Sequence, residues 1–139
     1  MKVVVDSSVW IAGVGSSKGF ASQTIYCCFN SGDIEVVIST QILVEVAKNL
    51  QKKLKFDPPI ADQAQKIIRG LCDFELEISP QDQRAVRNIK YSPDKHILAL
   101  CEKAEAKYLI TFDRKHLLPL KKCGETIIVE PKDFIAMIK

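Results

Sequence analysis

Strand-like and helix-like stretches alternate along the whole of this 139-residue chain, and few folds accommodate that alternation. Short apolar, β-prone runs stand at "KVVV", "EVVIS", "DFELEIS", "YLIT" and "TIIVE". Between them lie segments with helical periodicity or helix-stop signals. "VWIAGVG" reads as a short helix that breaks at Gly13 and Gly15, and "FASQTIYCCFNSG" as a helix stopped by Gly32. "TQILVEVAKNLQKKL" places Leu43, Val46, Ala47, Leu50 and Leu54 on one stripe, with Thr40 as the expected N-cap. Pro58-Pro59 close that segment and open the next helix, to about Arg69. Ser79-Pro80 and Ser92-Pro93 each start a helix with serine at the cap and proline in the first turn, the second running to about Glu105; Pro131 opens a terminal one. Strands separated by helices are βαβ units. The expected fold is therefore α/β, a three-layer α/β/α sandwich with a mostly parallel sheet of about five strands, as a single domain over residues 1–139.

Composition narrows the class. At 47% hydrophobic and 27% charged residues the chain is neither disordered nor fibrous. No apolar run approaches the ~18–20 residues that span a bilayer, and the few residues before Asp6 are too short for a signal-peptide core. The five cysteines are odd in number and lack C-x-x-C spacing, so free thiols in a reducing cytoplasm are expected. A net charge of +3 permits a polyanionic partner without requiring one.

Two of the strand runs end in the same way. Val3-Val4-Val5 lead straight into Asp6, and Tyr108-Leu109-Ile110-Thr111 lead through Phe112 to Asp113. In open parallel sheets, sites lie beyond the carboxyl ends of the strands, so both acids can point into one crevice. Helix capping or turn formation accounts equally well for either one taken singly. Asp94 suits the first turn of a helix, where the macrodipole favours an acid. Its helical neighbours Ile97, Leu98 and Cys101 are the packing stripe, however, which puts Asp94 at the rim of the core and calls for a cation nearby. Glu45 shares a face with Lys48 and Lys52, and periodicity alone makes it solvated.

"VVVDSSVWIAG", "STQILVEVAKNL" and "SPDKHILALCEKAEAKYLITFDRKHL" together resemble the PIN-domain family, most closely the VapC-like toxins of toxin–antitoxin pairs. The resemblance rests on Asp6-Ser7-Ser8 ending a strand, Glu45 within the next long helix, Asp94 opening "DKHILA", and Thr111-Phe112-Asp113; it runs to about residue 120. Position 8 is Ser rather than the frequent Asn, and Arg114-Lys115-His116 stand where many relatives carry a further acid. The resemblance implies a metal-dependent endoribonuclease that cleaves single-stranded or structured RNA by water attack on a phosphodiester. It also implies a cytoplasmic homodimer that binds an antitoxin protein, with no membrane partner. Trp10 and the "FASQTIYCCF" segment are the apolar faces available for assembly, unless they are plain core.

Four converging carboxylates cannot all stay ionised without counter-charge, and Mg²⁺ or Mn²⁺ supplies it while activating a water. On this reading Asp6 and Asp94 are the direct ligands, Asp113 and Glu45 complete the site through metal or water, and the Ser8 and Thr111 hydroxyls orient carboxylates. Lys48, Lys52, Lys53, Arg114 and Lys115 would attract the RNA backbone. His116 reads as a solvated loop residue, with a proton shuttle as its functional alternative. A phosphotransferase using Asp6 as nucleophile would want a second acid two residues on, where this chain has Ser8. "GVGSSKG" lacks both the third glycine of a dinucleotide loop and the G-K-[ST] of a Walker motif. The remaining rival is a PIN-like fold kept as a non-catalytic RNA- or protein-binding module.

Overall fold

A computed structural model describes residues 1–86 and 94–138. Six strands form one sheet: β1 (Lys2–Val5), β2 (Glu35–Ser39), β3 (Phe74–Leu76), β4 (Tyr108–Ile110), β5 (Lys122–Cys123) and β6 (Thr126–Val129). Their order is β3-β2-β1-β4-β6-β5, and every pairing is parallel except β5 with β6. Seven helices among the described residues flank it: α1 (Ser7–Gly15), α2 (Phe20–Asn30), α3 (Thr40–Leu54), α4 (Pro58–Leu71), α5 (Pro80–Arg84), α6 (Lys95–Ala104) and α7 (Pro131–Ile138). The central strands show why both faces must be covered. Val3, Val4 and Val5, and Val36, Val37 and Ile38, are all essentially inaccessible, so successive side chains on both faces find partners.

The architecture is the expected α/β/α sandwich, with one strand more than expected. Lys122–Cys123 is two residues long and has no apolar run, so hydrophobic patterning gives no sign of it; it forms by turning back at Gly124 onto β6. Three local expectations are corrected. The cap of α3 is Ser39, whose Oγ accepts from the Ile42 amide at 3.1 Å, and Thr40 is already helical. Helix α1 runs through Gly13 rather than breaking there. A Cβ at that position would lie 2.4 Å from Ile25 Cδ1, so this glycine serves the close approach of α1 to α2. Finally, "DFELEIS" is a strand only over Phe74–Leu76. The helix start expected at Ser92-Pro93 lies outside the described residues. Ser79 does cap α5, in a reciprocal box with Asp82.

Trp10 turns out to belong to the core, not to an outward face. It is 1% exposed, its Nε1–H donates to the Val5 carbonyl at 3.0 Å, and its ring stands 6.0 Å from Phe29. It therefore ties α1 to the end of β1, one residue before Asp6. Trp10→Ala should cost about 3–5 kcal/mol through the cavity and the lost bond, whereas Trp10→Phe should lose about 1–3 kcal/mol, from the hydrogen bond and a smaller cavity. Urea denaturation followed by circular dichroism measures both.

Candidate metal centre

The chain leaves β1 towards β2 on one side, and later returns to β4 on the other, so the topological switch point lies between β1 and β4. Crevices form at such points beyond the carboxyl ends of the strands. Asp6 follows β1 directly, and its amide still donates to the Ile110 carbonyl at 2.9 Å, continuing the ladder between the two strands. Its side chain caps α1: Oδ1 accepts from the Ser7 amide at 2.9 Å. Oδ2 accepts two hydroxyls, from Ser8 at 2.9 Å and from Thr111 at 2.7 Å. Asp6 is 5% exposed and Thr111 is fully buried. Burial pushes the Asp6 carboxyl up from its ordinary range, against the pull of these hydrogen bonds, and Glu45 adds a smaller upward push.

The same two hydroxyls fix the other strand end. Thr111 Oγ1 accepts from the Asp113 amide at 3.0 Å, and Ser8 Oγ accepts from the Phe112 amide at 3.2 Å. Asp113 then turns the chain. Its Oδ1 accepts from the Lys115 and His116 amides, each at 3.0 Å, the local bonding that makes aspartate a turn residue. Both of the readings open for Asp113 thus hold at once: it starts a turn, and it faces the crevice.

Asp94, just before α6, stands against Asp113 and His116. One ligand-capable atom from each of the three lies within 4.8 Å of the others. Asp94 Oδ2 is buried and accepts no hydrogen bond from the described residues. Its carboxyl is pushed up to about 6, chiefly by burial and then by the charge of Asp113, with His116 opposing, Asp6 adding a little and His96 opposing. The described residues place no Lys or Arg ion pair on Asp94, so the cation that its rim position calls for is not supplied by a side-chain partner among them.

Glu45 keeps a side chain that is 40% exposed, as its periodicity with Lys48 and Lys52 suggested, but one of its oxygens turns inward. Its Oε1 is buried 3.2 Å from His96 Nε2, across the gap between α3 and α6, without hydrogen-bonding geometry. Both residues border a cavity of about 410 Å³ with Thr40, Gln41 and Val44. His96 was missed as a site neighbour, and nothing in the sequence signals it. It lies two residues from Asp94, a spacing that puts them on different helix faces, and its partner is on another helix. Lys48, Lys52, Lys53, Arg114 and Lys115 are all exposed, but Arg114 is engaged, with Nε 2.8 Å from Glu130 Oε1. Two cavities of about 690 Å³ lie elsewhere, one across α2 and Ile135 of α7, the other around Gly32 and Asp33.

A mostly parallel α/β sheet with acidic side chains gathered at its switch point defines a class of domain in which the site is built from strand ends. The comparisons make the class specific. A model of the PIN domain matches residues 2–115, and the chain belongs to the PIN domain family. No curated protein matches the sequence. Among solved structures, Mycobacterium tuberculosis VapC20, a sarcin–ricin loop cleaving toxin, superposes with a TM-score of 0.63 at 17% identity, over 88% of this chain and 97% of that one. VapBC2 from Rickettsia felis, bound to a DNA fragment from its promoter, gives 0.69 at 14% identity, over 94% and 98%. PAE2754 from Pyrobaculum aerophilum gives 0.62 at 16% identity, over 99% and 88%. At these identities the likeness establishes the fold.

Proposed function

We propose that this chain is a divalent-metal-dependent endoribonuclease, cleaving single-stranded or structured RNA by water attack on a phosphodiester, and that it acts as the toxin of a toxin–antitoxin pair. The observation that carries the reading is Asp94: a buried carboxylate oxygen with no donor among the described residues, facing a second carboxylate, in a family of nucleases. An acceptor left unpaired in that setting is costly unless a cation completes it. The donor set fits Mg²⁺ or Mn²⁺, since it is rich in carboxylate oxygens and open to water and phosphate. Asp6, Glu45, Asp94 and Asp113 are the residues that would hold the ion. When bound there, such an ion neutralises the carboxylates, polarises a phosphodiester oxygen and lowers the pKa of a water.

The chain's own groups set the geometry. Ser8 and Thr111 clamp Asp6 Oδ2, so that carboxylate cannot swing away from the crevice. The turn at Asp113 leaves its second oxygen directed away from the backbone bonds held by the first. Glu45 is kept close by His96. Lys48, Lys52, Lys53 and Lys115, with Arg114 once it leaves Glu130, would draw the RNA backbone towards an otherwise repellent acidic site.

Partners follow the same reading. VapC20 is a sarcin–ricin loop cleaving toxin, which favours a structured RNA as substrate here. The VapBC2 complex supports an antitoxin protein, and exposed Phe20 and Tyr26 on α2 with Met137 on α7 offer it apolar contact. We place the chain in the cytoplasm as a homodimer; none of the described helices is long and apolar enough to cross a membrane, and all five cysteines are free. Incubation with a pool of structured RNAs should give cleavage in Mg²⁺ or Mn²⁺ and none in chelator. Thermal unfolding should rise in temperature with either metal. Metal binding without cleavage of any RNA would point to a binding module instead.

A further inference from the structure

We propose that His116 is itself a ligand of the divalent ion, so that Asp94, Asp113 and His116 form a two-carboxylate, one-imidazole set that favours Mn²⁺ over Mg²⁺. The proposal rests on the metal site inferred above and adds to it a residue and a selectivity.

Geometry carries the argument. Ligand atoms around one six-coordinate ion with bonds of about 2.1 Å sit about 3 Å apart when adjacent and about 4.2 Å apart when opposite. The three donor atoms already fall within 4.8 Å of one another, so a small side-chain adjustment closes the set. His116 Nδ1 lies 3.8 Å from Asp113 Oδ2, too far for a hydrogen bond but within the span that an ion bridges. The backbone that carries the imidazole is also held on both sides. The His116 amide is fixed by Asp113 Oδ1, Leu117 after it is 1% exposed in the core, and the Leu118 amide donates to the Asp113 carbonyl at 2.9 Å. The His116 side chain is 29% exposed, comparable to the 24% of Asp113, so it lines the crevice and does not trail in solvent. Such pre-placement is what a ligand needs.

The ion preference follows from the donor type. Carboxylate and water suit Mg²⁺, Ca²⁺ and Mn²⁺, whereas a neutral imidazole nitrogen adds affinity for the first-row transition ions in the order Mn²⁺, Fe²⁺, Co²⁺, Ni²⁺. Mg²⁺ gains little from nitrogen. One imidazole among oxygens should therefore raise Mn²⁺ binding selectively.

Electron paramagnetic resonance of untagged protein with Mn²⁺ tests this directly. The chain has only two histidines, so any imidazole nitrogen at the ion is assignable. The bound ion should show modulation from a coordinated nitrogen, and His116→Gln should abolish it. The same variant should weaken Mn²⁺ binding at least about tenfold while changing Mg²⁺ binding far less. His116→Asp should restore tight binding without the nitrogen signal and without the Mn²⁺ preference. Bound Mn²⁺ lacking the nitrogen signal, or a signal kept in His116→Gln and lost in His96→Gln, would overturn this assignment while leaving the metal site intact. Failure of wild-type protein to bind Mn²⁺ at all would overturn both.

Discussion

Asp94→Asn should make the metal-free protein more stable at neutral pH and, in the same molecule, abolish RNA cleavage. The sign comes from linkage. The Asp94 carboxyl stands at about 6 in the folded chain against an ordinary 3.8. Between about pH 4 and pH 6 the folded state holds a proton that the unfolded state has released, so stability falls as pH rises through that window. Above it the full penalty applies. A shift of this size would nominally be worth almost 3 kcal/mol, but the group is partly open to solvent, and about 1 kcal/mol is the expected gain for Asp94→Asn at pH 7.5. At pH 4 and below the variant and the wild type should converge. Urea denaturation in chelator at the two pH values reads this out. Stabilisation by Mn²⁺ should shrink and cleavage should fall on the order of 10²-fold or more. If Asp94 merely favours the start of α6 through the dipole, the asparagine would instead lower stability slightly and leave cleavage unchanged.

Asp6 predicts the opposite pattern for stability. Asp6→Ala strips the acceptor from the Ser7 amide and from the Ser8 and Thr111 hydroxyls, and Thr111 has no access to water. Losing the α1 cap costs about 0.5–2 kcal/mol. Each buried donor left without a partner adds about 1–3 kcal/mol. Relief of the buried charge offsets part of this, and a net loss of about 3 kcal/mol is expected. Asp6→Asn keeps an oxygen for the Ser7 amide and so keeps the α1 cap, but it leaves the buried Thr111 hydroxyl proton without its acceptor. It should lose about 1–3 kcal/mol, less than Asp6→Ala, and lose Mn²⁺-dependent stabilisation and cleavage. An asparagine variant that still gains stability from metal would remove Asp6 from the ligand set.

Much of this arrangement is legible in the chain. Runs such as Val3-Val4-Val5 and Tyr108-Leu109-Ile110 carry the strand signal in every residue, because parallel central strands are apolar on both faces. Acids that follow two such runs at the same end of a parallel sheet can share a crevice, so Asp6 and Asp113 could be set side by side in advance, although each taken singly also reads as a cap or turn residue. Glu45 could not. Its i+3 and i+7 neighbours are lysines and its side chain stays partly exposed as they suggest, while the buried oxygen that sets it apart stands beside His96 on another helix, a contact with no local trace. Lys122–Cys123 escaped for a related reason: an edge strand of two residues needs partners, not hydrophobicity. Gly13 reads locally as a helix breaker, and only the position of Ile25 reveals that it is a point of close helix contact. Long-range placement of polar groups is what periodicity does not encode.

The hydroxyl clamp on Asp6 has a consequence in time. Asp6 and Thr111 are 105 residues apart in the chain but 2.7 Å apart when folded. At about 5–20 residues per second, a ribosome takes on the order of 5–20 s to make what lies between them. Throughout that interval Asp6 exists without the Thr111 hydroxyl that holds it and without Asp113 beside it. Parallel pairing of β1 with β4 is also the kind of non-local contact that forms late. Whatever the carboxylate cluster does is therefore withheld from the growing chain, and a hydrolase of this design would not act on the message or the ribosome producing it until its own synthesis was almost complete.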